Sequence, residues 1–362
     1  MVRTRVRTVA QGSAWGGTST VGIAEVAARA GVSPATVSRA LRGLTGVSAE
    51  KQRAVQAAAA ELGYVASASA SALALGRTSA VGVLAPWISR WFFAAVIEGA
   101  QDLLSGRGYD VMLYPLGANA GPDAPAVRTR TLAKKVDGVL ALNVPGGVGA
   151  AALADLPLPV VTVGSGIPGV SGVSVDDEAV GHLATRHLIE LGHRRIAFLG
   201  LDPDRRYGFT VASDRHLGYL RALRESALPI GPHLTCLTGF SVQAGEAALE
   251  HQLMLAGWDP GALPTGIVAV SDEVAMGIVY AARERGIRVP EDLSVIGVDD
   301  HDLAYLFGMT TIGQPVREQG RIAADLLLAQ MLDPGCPMQT IKVPAGLIER
   351  KTTAPPRTDR KP

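Results

Sequence analysis

The sequence predicts an N-terminal all-α helix-turn-helix domain followed by an α/β domain of two lobes, each built on a doubly wound parallel sheet. Three observations carry this. Two short helical patterns meet at a glycine between residues 23 and 41. From residue 79 onward, short apolar runs alternate with amphipathic helical segments. The chain of 362 residues is too long for one ordinary core.

In IAEVAARAGVSPATVSRAL, Ile23, Val26, Ala27 and Ala30 fall on one helical face until Gly31-Val32-Ser33 interrupts the run. Ser33 is placed to cap a second helix, and Pro34 suits its first position because the missing N–H would have no partner there. Ala27 is small where two helices must approach, Gly31 tolerates a positive φ, and Val37 closes the pair from the second helix. A third helix follows, with Ser48 as cap, Val55, Ala58, Ala59 and Leu62 as its buried stripe, and Gly63 as its end. In such a reader the second helix enters the major groove. Thr36, Ser38 and Arg39 are its polar candidates for bases or phosphates, while Ser33, Pro34 and Ala35 lead the helix and offer mainly small or apolar contacts.

Charge divides the chain in the same place. The net charge is +1, but residues 1–80 hold nine Lys or Arg against three Glu, and the rest is acidic. A basic end suits a polyanion through counterion release, and a solvated tail would give the same count. No apolar stretch approaches the roughly 20 residues of a membrane span, and the first 20 residues lack the apolar core of a secretory signal. A cytoplasmic protein without membrane partners is expected. Cys236 and Cys336 are the only cysteines, too few for a metal cluster or a disulfide framework.

The apolar runs are AVGVLAP, DVMLY, DGVLALNV, PVVTV, RIAFLG, TGIVAV and LSVIGV, several continuous enough for strands buried on both faces. Helices are expected near Phe92–Arg107, in HLATRHLIEL, and around Ile322, Ala323, Leu326 and Leu327. Doubly wound sheets bind ligands beyond the carboxyl ends of their strands, and two facing lobes put that site in a cleft.

VAARAGVSPATVSRAL, VSAEKQRAVQAAAAELGY, HLIELGHRRIAFLG, RVPEDLSVIGVDD, TTIGQP and LIERKTT together resemble the lactose-repressor (LacI/GalR) family, and the resemblance runs through the chain after its first twenty residues. It implies a periplasmic-binding-protein-like effector domain and a homodimer whose paired readers bind a near-palindromic double-stranded DNA operator, usually as a repressor. It further implies a small-molecule effector, a sugar being the favoured class, and no cofactor. The implied plan is a flexible basic extension (1–20), the DNA-binding domain (21–64), a hinge (65–78), a two-lobed effector-binding and dimerisation domain (79–350) and a flexible tail (351–362). Leu73 matches an apolar wedge that the family inserts in the minor groove. The hinge departs from the family pattern, with Ala66-Ser67 for a common Pro-Asn and Ser71 for an arginine.

Effector candidates follow from the same resemblance and from the aromatic loop after the first run. Trp91 is a stacking candidate and Phe92 its neighbour; Arg90-Trp91 stand where the family commonly has Asn-Pro. Arg215, Asp272 and Asp299 match positions that contact effector, and Gln314 one near the crossover. A guanidinium with carboxylates suits a polyhydroxylated ligand that both donates and accepts. Asp272 could instead cap a helix, Asp299 form a turn, and Arg215 pair across the lobes. Gly164 replaces a common Asp.

Gly164–Gly169 imitates a dinucleotide loop, but Pro168 and the extended VSGVSV leave no helix to face a pyrophosphate. His182, His187 and His193 share helical spacing without a metal pattern, and no nucleophile sits beside a base, so neither a metal site nor catalysis is expected. An exported sugar receptor would lack the first 80 residues, and an enzyme fused to a DNA module would need a catalytic constellation that is absent from the sequence.

Overall fold

The computed structural model describes residues 21–41, 43–64, 77–116, 132–143, 148–201, 210–259 and 262–357. The 1–20 extension and most of the 65–78 hinge, with Leu73, lie outside the described residues. The chain divides into two compact units, residues 1–78 and 79–362.

The first unit is three helices, α1 (Ile23–Ala30), α2 (Pro34–Leu41) and α3 (Ala49–Glu61). Each end has a local cause. Glu25 Oε2 accepts the Gly22 N–H at 3.0 Å, and Gly31 closes α1 in the left-handed region at φ +63°. Ser33 Oγ accepts the Thr36 N–H at 3.2 Å to start α2, and Ser48 Oγ accepts the Lys51 N–H at 3.4 Å to start α3. Val26, Val37 and Val55, one from each helix, are fully buried against one another. At about 25 cal/mol per Å² this is a small core, so the caps contribute a sizeable share of the stability.

The second unit holds two six-stranded sheets. The first runs β11-β5-β4-β3-β1-β2, from β1 (Ala80–Ala85), β2 (Asp110–Pro115), β3 (Gly138–Leu142), β4 (Val160–Val163), β5 (Ser171–Ser174) and β11 (Thr340–Lys342). The second runs β12-β10-β9-β8-β6-β7, from β6 (Ile196–Leu201), β7 (Thr235–Leu237), β8 (Gly266–Ala269), β9 (Ser294–Asp299), β10 (Thr310–Gly313) and β12 (Gly346–Ile348). β1, β3, β4, β8 and β9 are buried at every residue, as helices on both faces of a parallel sheet require. One strand departs from the all-parallel expectation: β12 pairs antiparallel with β10. It is reached by a short connection from the other lobe, not by a helical crossover, so no rule obliges it to run parallel.

Helices α4 (Trp91–Ser105), α5 (Val148–Ala154) and α10 (Val316–Leu332) serve the first lobe; α6 (Asp177–Glu190), α7 (Val211–Glu225), α8 (Val242–Leu255) and α9 (Asp272–Glu284) serve the second. The chain therefore passes between lobes three times, after β5, after β10 and after β11. No helix among the described residues is long and apolar enough to cross a membrane.

Helices α6 and α7 touch through two reciprocal glycines. A side chain on Gly181 would strike the Arg215 carbonyl, and one on Gly218 the Glu178 carbonyl. Removing Cβ lets the backbones approach until Cα–H groups reach carbonyl oxygens. Because Gly181 packs on the residue that carries the cleft's guanidinium, Gly181→Ala is expected to cost about 1–3 kcal/mol by overpacking and to weaken effector binding, both measurable by urea unfolding and calorimetry.

The carboxyl-terminal segment corrects an expectation. Residues 351–357 are not a loose tail at their start: Thr352 is buried, its Oγ1 accepts the Thr310 N–H at 2.9 Å, and it donates to the Val295 carbonyl at 2.7 Å. Ala354 exchanges two hydrogen bonds with Ser294 Oγ, both 3.0 Å, and its carbonyl lies 2.9 Å from His193 Nε2. Short polar residues in KTTAP look like tail by composition, yet here their hydroxyls satisfy β9 and β10 backbone groups that burial would leave without water.

Candidate functional site

In the helical unit, Ser33, Pro34, Ala35 and Arg39 are exposed on or just before α2, with Thr36 and Ser38 partly so, while Val37 and Ala40 turn inward. Ser33 and Thr36 hydroxyls also meet at 2.9 Å. The Arg39 guanidinium does not hang free: Nη2 donates to the Thr45 carbonyl at 2.9 Å, which ties α2 to the turn before α3 and fixes where the remaining N–H groups point. Arg29 is spent on Glu61 at 2.7 Å, joining α1 to α3.

In the two-lobed unit a cavity of about 70 Å³ opens beyond the carboxyl ends of the strands. Eight of the strand ends deliver a wall residue: Trp87 after β1, Asn143 after β3, Gly164 after β4, Asp177 after β5, Phe240 after β7, Ser271 and Glu273 after β8, Asp299 at the end of β9 and Gln314 after β10. This is the placement expected of parallel sheets, whose strands end together at one rim.

The polar centre is Arg215 on α7, which is buried. Its Nε donates to Asp177 Oδ1 at 2.8 Å, Nη1 to the Val270 carbonyl at 2.5 Å, and Nη2 lies 3.8 Å from Asp299 Oδ1. Gln314 Nε2 donates to Asp299 Oδ1 at 2.6 Å, and Gln319 Nε2 on α10 donates to Gln314 Oε1 at 2.9 Å. The chain Gln319–Gln314–Asp299–Arg215–Asp177 thus runs from the first lobe through a crossover into the second. Asp299 has φ +123°, a strained value for a residue with a side chain, as occurs at ligand sites.

Burial pushes the Asp299 carboxyl up to about 6, against the opposing pull of Arg215 and Gln314. Burial likewise raises Asp177, with Arg215 acting the other way. An acid whose folded value is raised binds more protons folded than unfolded, so the Asp299 contribution falls as pH rises from about 4 to about 6 and is flat above. His193 has the opposite sign: burial lowers it to about 4, so stability is lost as pH falls from 6.5 towards 4. Asp299→Asn removes the first effect and eases the rise of Asp272, both in the same direction, without touching His193; it is expected to raise Tm more at pH 7.5 than at pH 4.5, as differential scanning fluorimetry would read.

Of the cleft residues expected from sequence, Trp91, Phe92, Arg215, Asp299 and Gln314 line the cavity. Asp272 does not. Ser271 Oγ caps α9 by accepting the Val274 N–H, and Asp272 is buried, its Oδ2 accepting the His301 N–H at 2.8 Å. Burial and nearby Asp299 push the Asp272 carboxyl well up, and Gly297 leaves the room it occupies, since a side chain there would strike Asp272 Oδ1. Trp91 also has a second engagement. Its ring lies on His301 with centroids 4.8 Å apart, and Nε1 donates to Asp302 Oδ2 at 2.9 Å, so it joins the lobes at the cleft mouth. Arg317 adds a contact to Asp302 at 3.5 Å and to Glu98 at 2.8 Å.

Trp87, Asn143, Asp177, Phe240, Glu273 and Gln319 were not picked out by sequence reasoning. The signal available for the first five was position, since each lies within a few residues of a strand's carboxyl end. Between β4 and β5 the glycine-rich loop contains no helix. Among the described residues no group of three His, Cys, Asp or Glu side chains could hold a metal ion.

A three-helix DNA reader joined to a two-lobed unit with a polar cleft defines a ligand-responsive transcription regulator. Residues 22–67 match the model of bacterial regulatory proteins of the lacI family, and residues 185–353 that of a periplasmic binding protein-like domain. The chain is 30% identical to the HTH-type transcriptional regulator RegA of Clostridium saccharobutylicum over 91% of this chain and 98% of that one. It is 33% identical to the HTH-type transcriptional repressor PurR of Serratia proteamaculans (strain 568), over 92% and 96%. Among solved structures it resembles the lac repressor dimer bound to operator and the anti-inducer ONPF, with TM-score 0.81, 26% identity and coverage of 93% and 100%. It also resembles a CelR–cellobiose complex, with TM-score 0.67, 30% identity and coverage of 92% and 99%. The chain belongs to the LacI family of transcription regulators, with a DNA-binding helix-turn-helix and an effector-binding domain.

Proposed function

We propose that the protein is a cytoplasmic, homodimeric repressor without catalytic activity that binds a near-palindromic operator and whose operator affinity is set by a sugar in the interlobe cleft. The buried Arg215 with Asp177 and Asp299 carries the ligand part of this reading. It offers fixed donors and acceptors within one cavity, which a ligand bearing several hydroxyls can satisfy together. Two similar structures support the class: the CelR–cellobiose complex, and a LacI-family regulator from Enterococcus faecium with bound ribose, 28% identical with TM-score 0.65. A lac repressor dimer on operator supports the assembly. Asp272 acts as a support for the His301 loop and not as an effector contact.

Ser33, Pro34, Ala35, Thr36 and Ser38 face the groove, and Leu73 wedges the minor groove where the hinge meets it. Arg39, held by Thr45, clamps a phosphate. Arg39→Ala is therefore expected to lower affinity for all site sequences alike and to reduce the salt slope by about 1 per protomer; a loss confined to one base position would assign it to base readout instead. Leu73→Ala is the companion variant: an unchanged dissociation constant would remove the wedge. Selection of binding sites from random duplexes tests the whole reading. Enriched sites with two-fold symmetry are expected, and enrichment of nothing, or of asymmetric single sites, contradicts it.

A further inference from the structure

The two walls of the cleft differ in chemistry. On the second lobe the charged wall residues are Asp177, Asp299 and Glu273 against one cation, Arg215. On the first lobe the only charged wall residue among the described residues is Arg90. Its guanidinium makes no hydrogen bond among the described residues, and its neighbour Glu273 stands 3.8 Å away across the cleft, beyond hydrogen-bond reach. The other polar group of that wall beside Gln319 is Asn143. Asn143 lines the cavity; its Oδ1 accepts the Ser165 N–H at 3.0 Å, and its Nδ2 donates to no partner among the described residues.

Asn143 also decides what can stand at position 164. Gly164 has φ +84°, and a side chain there would collide with Asn143 Oδ1. With Gly164 beside it, the first-lobe wall presents donors and one positive charge with no carboxylate among the described residues. Arg90 in place of an uncharged residue moves the wall in the same direction.

We propose that the effector is a sugar acid, with hydroxyls on Arg215, Asp177 and Asp299 and its carboxylate on Arg90 and Asn143 Nδ2. This deepens the reading of the cleft as the effector site and rests on it. A ligand carboxylate within hydrogen-bond distance of Arg90 replaces a loose contact to Glu273 by charge-assisted hydrogen bonds, the strong kind. A neutral sugar places a hydroxymethyl group there and leaves Arg90 with only its 3.8 Å contact to Glu273.

The test is calorimetric titration of the full chain with matched pairs, D-glucose with D-glucuronate and D-galactose with D-galacturonate. In at least one pair the acid is expected to bind about 10- to 100-fold more tightly than its neutral partner. Arg90→Gln is expected to collapse that ratio towards one, and Arg90→Lys to keep part of it. Neutral sugars binding as tightly as their acids, or a ratio untouched by Arg90→Gln, would overturn the inference while leaving a sugar-responsive regulator standing. Binding of neither member of either pair would overturn the inference as well.

Discussion

Arg215→Met is expected to lower unfolding free energy by about 3–5 kcal/mol at pH 7 and to abolish effector binding. The guanidinium is the shared partner of Asp177 and Asp299, which burial already drives towards their neutral forms. Without it both carboxyls rise further, so the folded state holds extra protons over a wider range. The deficit should therefore grow as pH rises through about 6 and shrink towards pH 4. Urea unfolding at pH 4.5, 6 and 7.5 reads this directly. A deficit independent of pH would mean that Arg215 acts by packing and not by charge.

Ending the chain after Arg350 is expected to have a comparable effect, roughly 3–6 kcal/mol, because several buried groups lose partners worth about 1–3 kcal/mol each. The Thr310 and Val295 N–H groups, the Val295 carbonyl and Ser294 Oγ all depend on Thr352 or Ala354. His193 loses the Ala354 carbonyl as well. Thr352→Val, close in shape, isolates the hydroxyl, with an expected cost of about 1–3 kcal/mol. A truncated chain as stable as the full one would show that water replaces these contacts.

The reader was legible in the sequence because its determinants are local: a capping serine, a left-handed glycine and a valine on each helix suffice to place three short helices. Arg215 and Asp299 were legible through the family resemblance, which matched them to effector-contacting positions, while the residues alone left an ion pair and a turn as alternatives. Asp272 was expected at the effector by resemblance, with helix capping as its alternative; Ser271 takes the cap, and Asp272 accepts the His301 N–H outside the cavity lining. Asn143 and Phe240 carry no such mark. Their importance comes from topology, since β3 and β7 end at the same rim as strands far away in sequence. Trp91 was expected to stack on a ligand, and its His301 and Asp302 partners, on the far side of the cleft, lie about 210 residues away in sequence. The KTTAP segment looked like a tail because its value lies in the unpaired backbone groups of β9 and β10, which no local pattern reveals.

Effector in the cleft is expected to change the affinity of the helix-turn-helix for operator. The most direct measurement is operator affinity, at fixed salt, without effector and at effector saturation, in the full chain and in Arg215→Met. Coupling predicts a change of roughly 5- to 150-fold in the full chain, the same factor in effector affinity when operator is saturating, and no change in the variant. An effector that fills the cleft while operator affinity stays constant would contradict it.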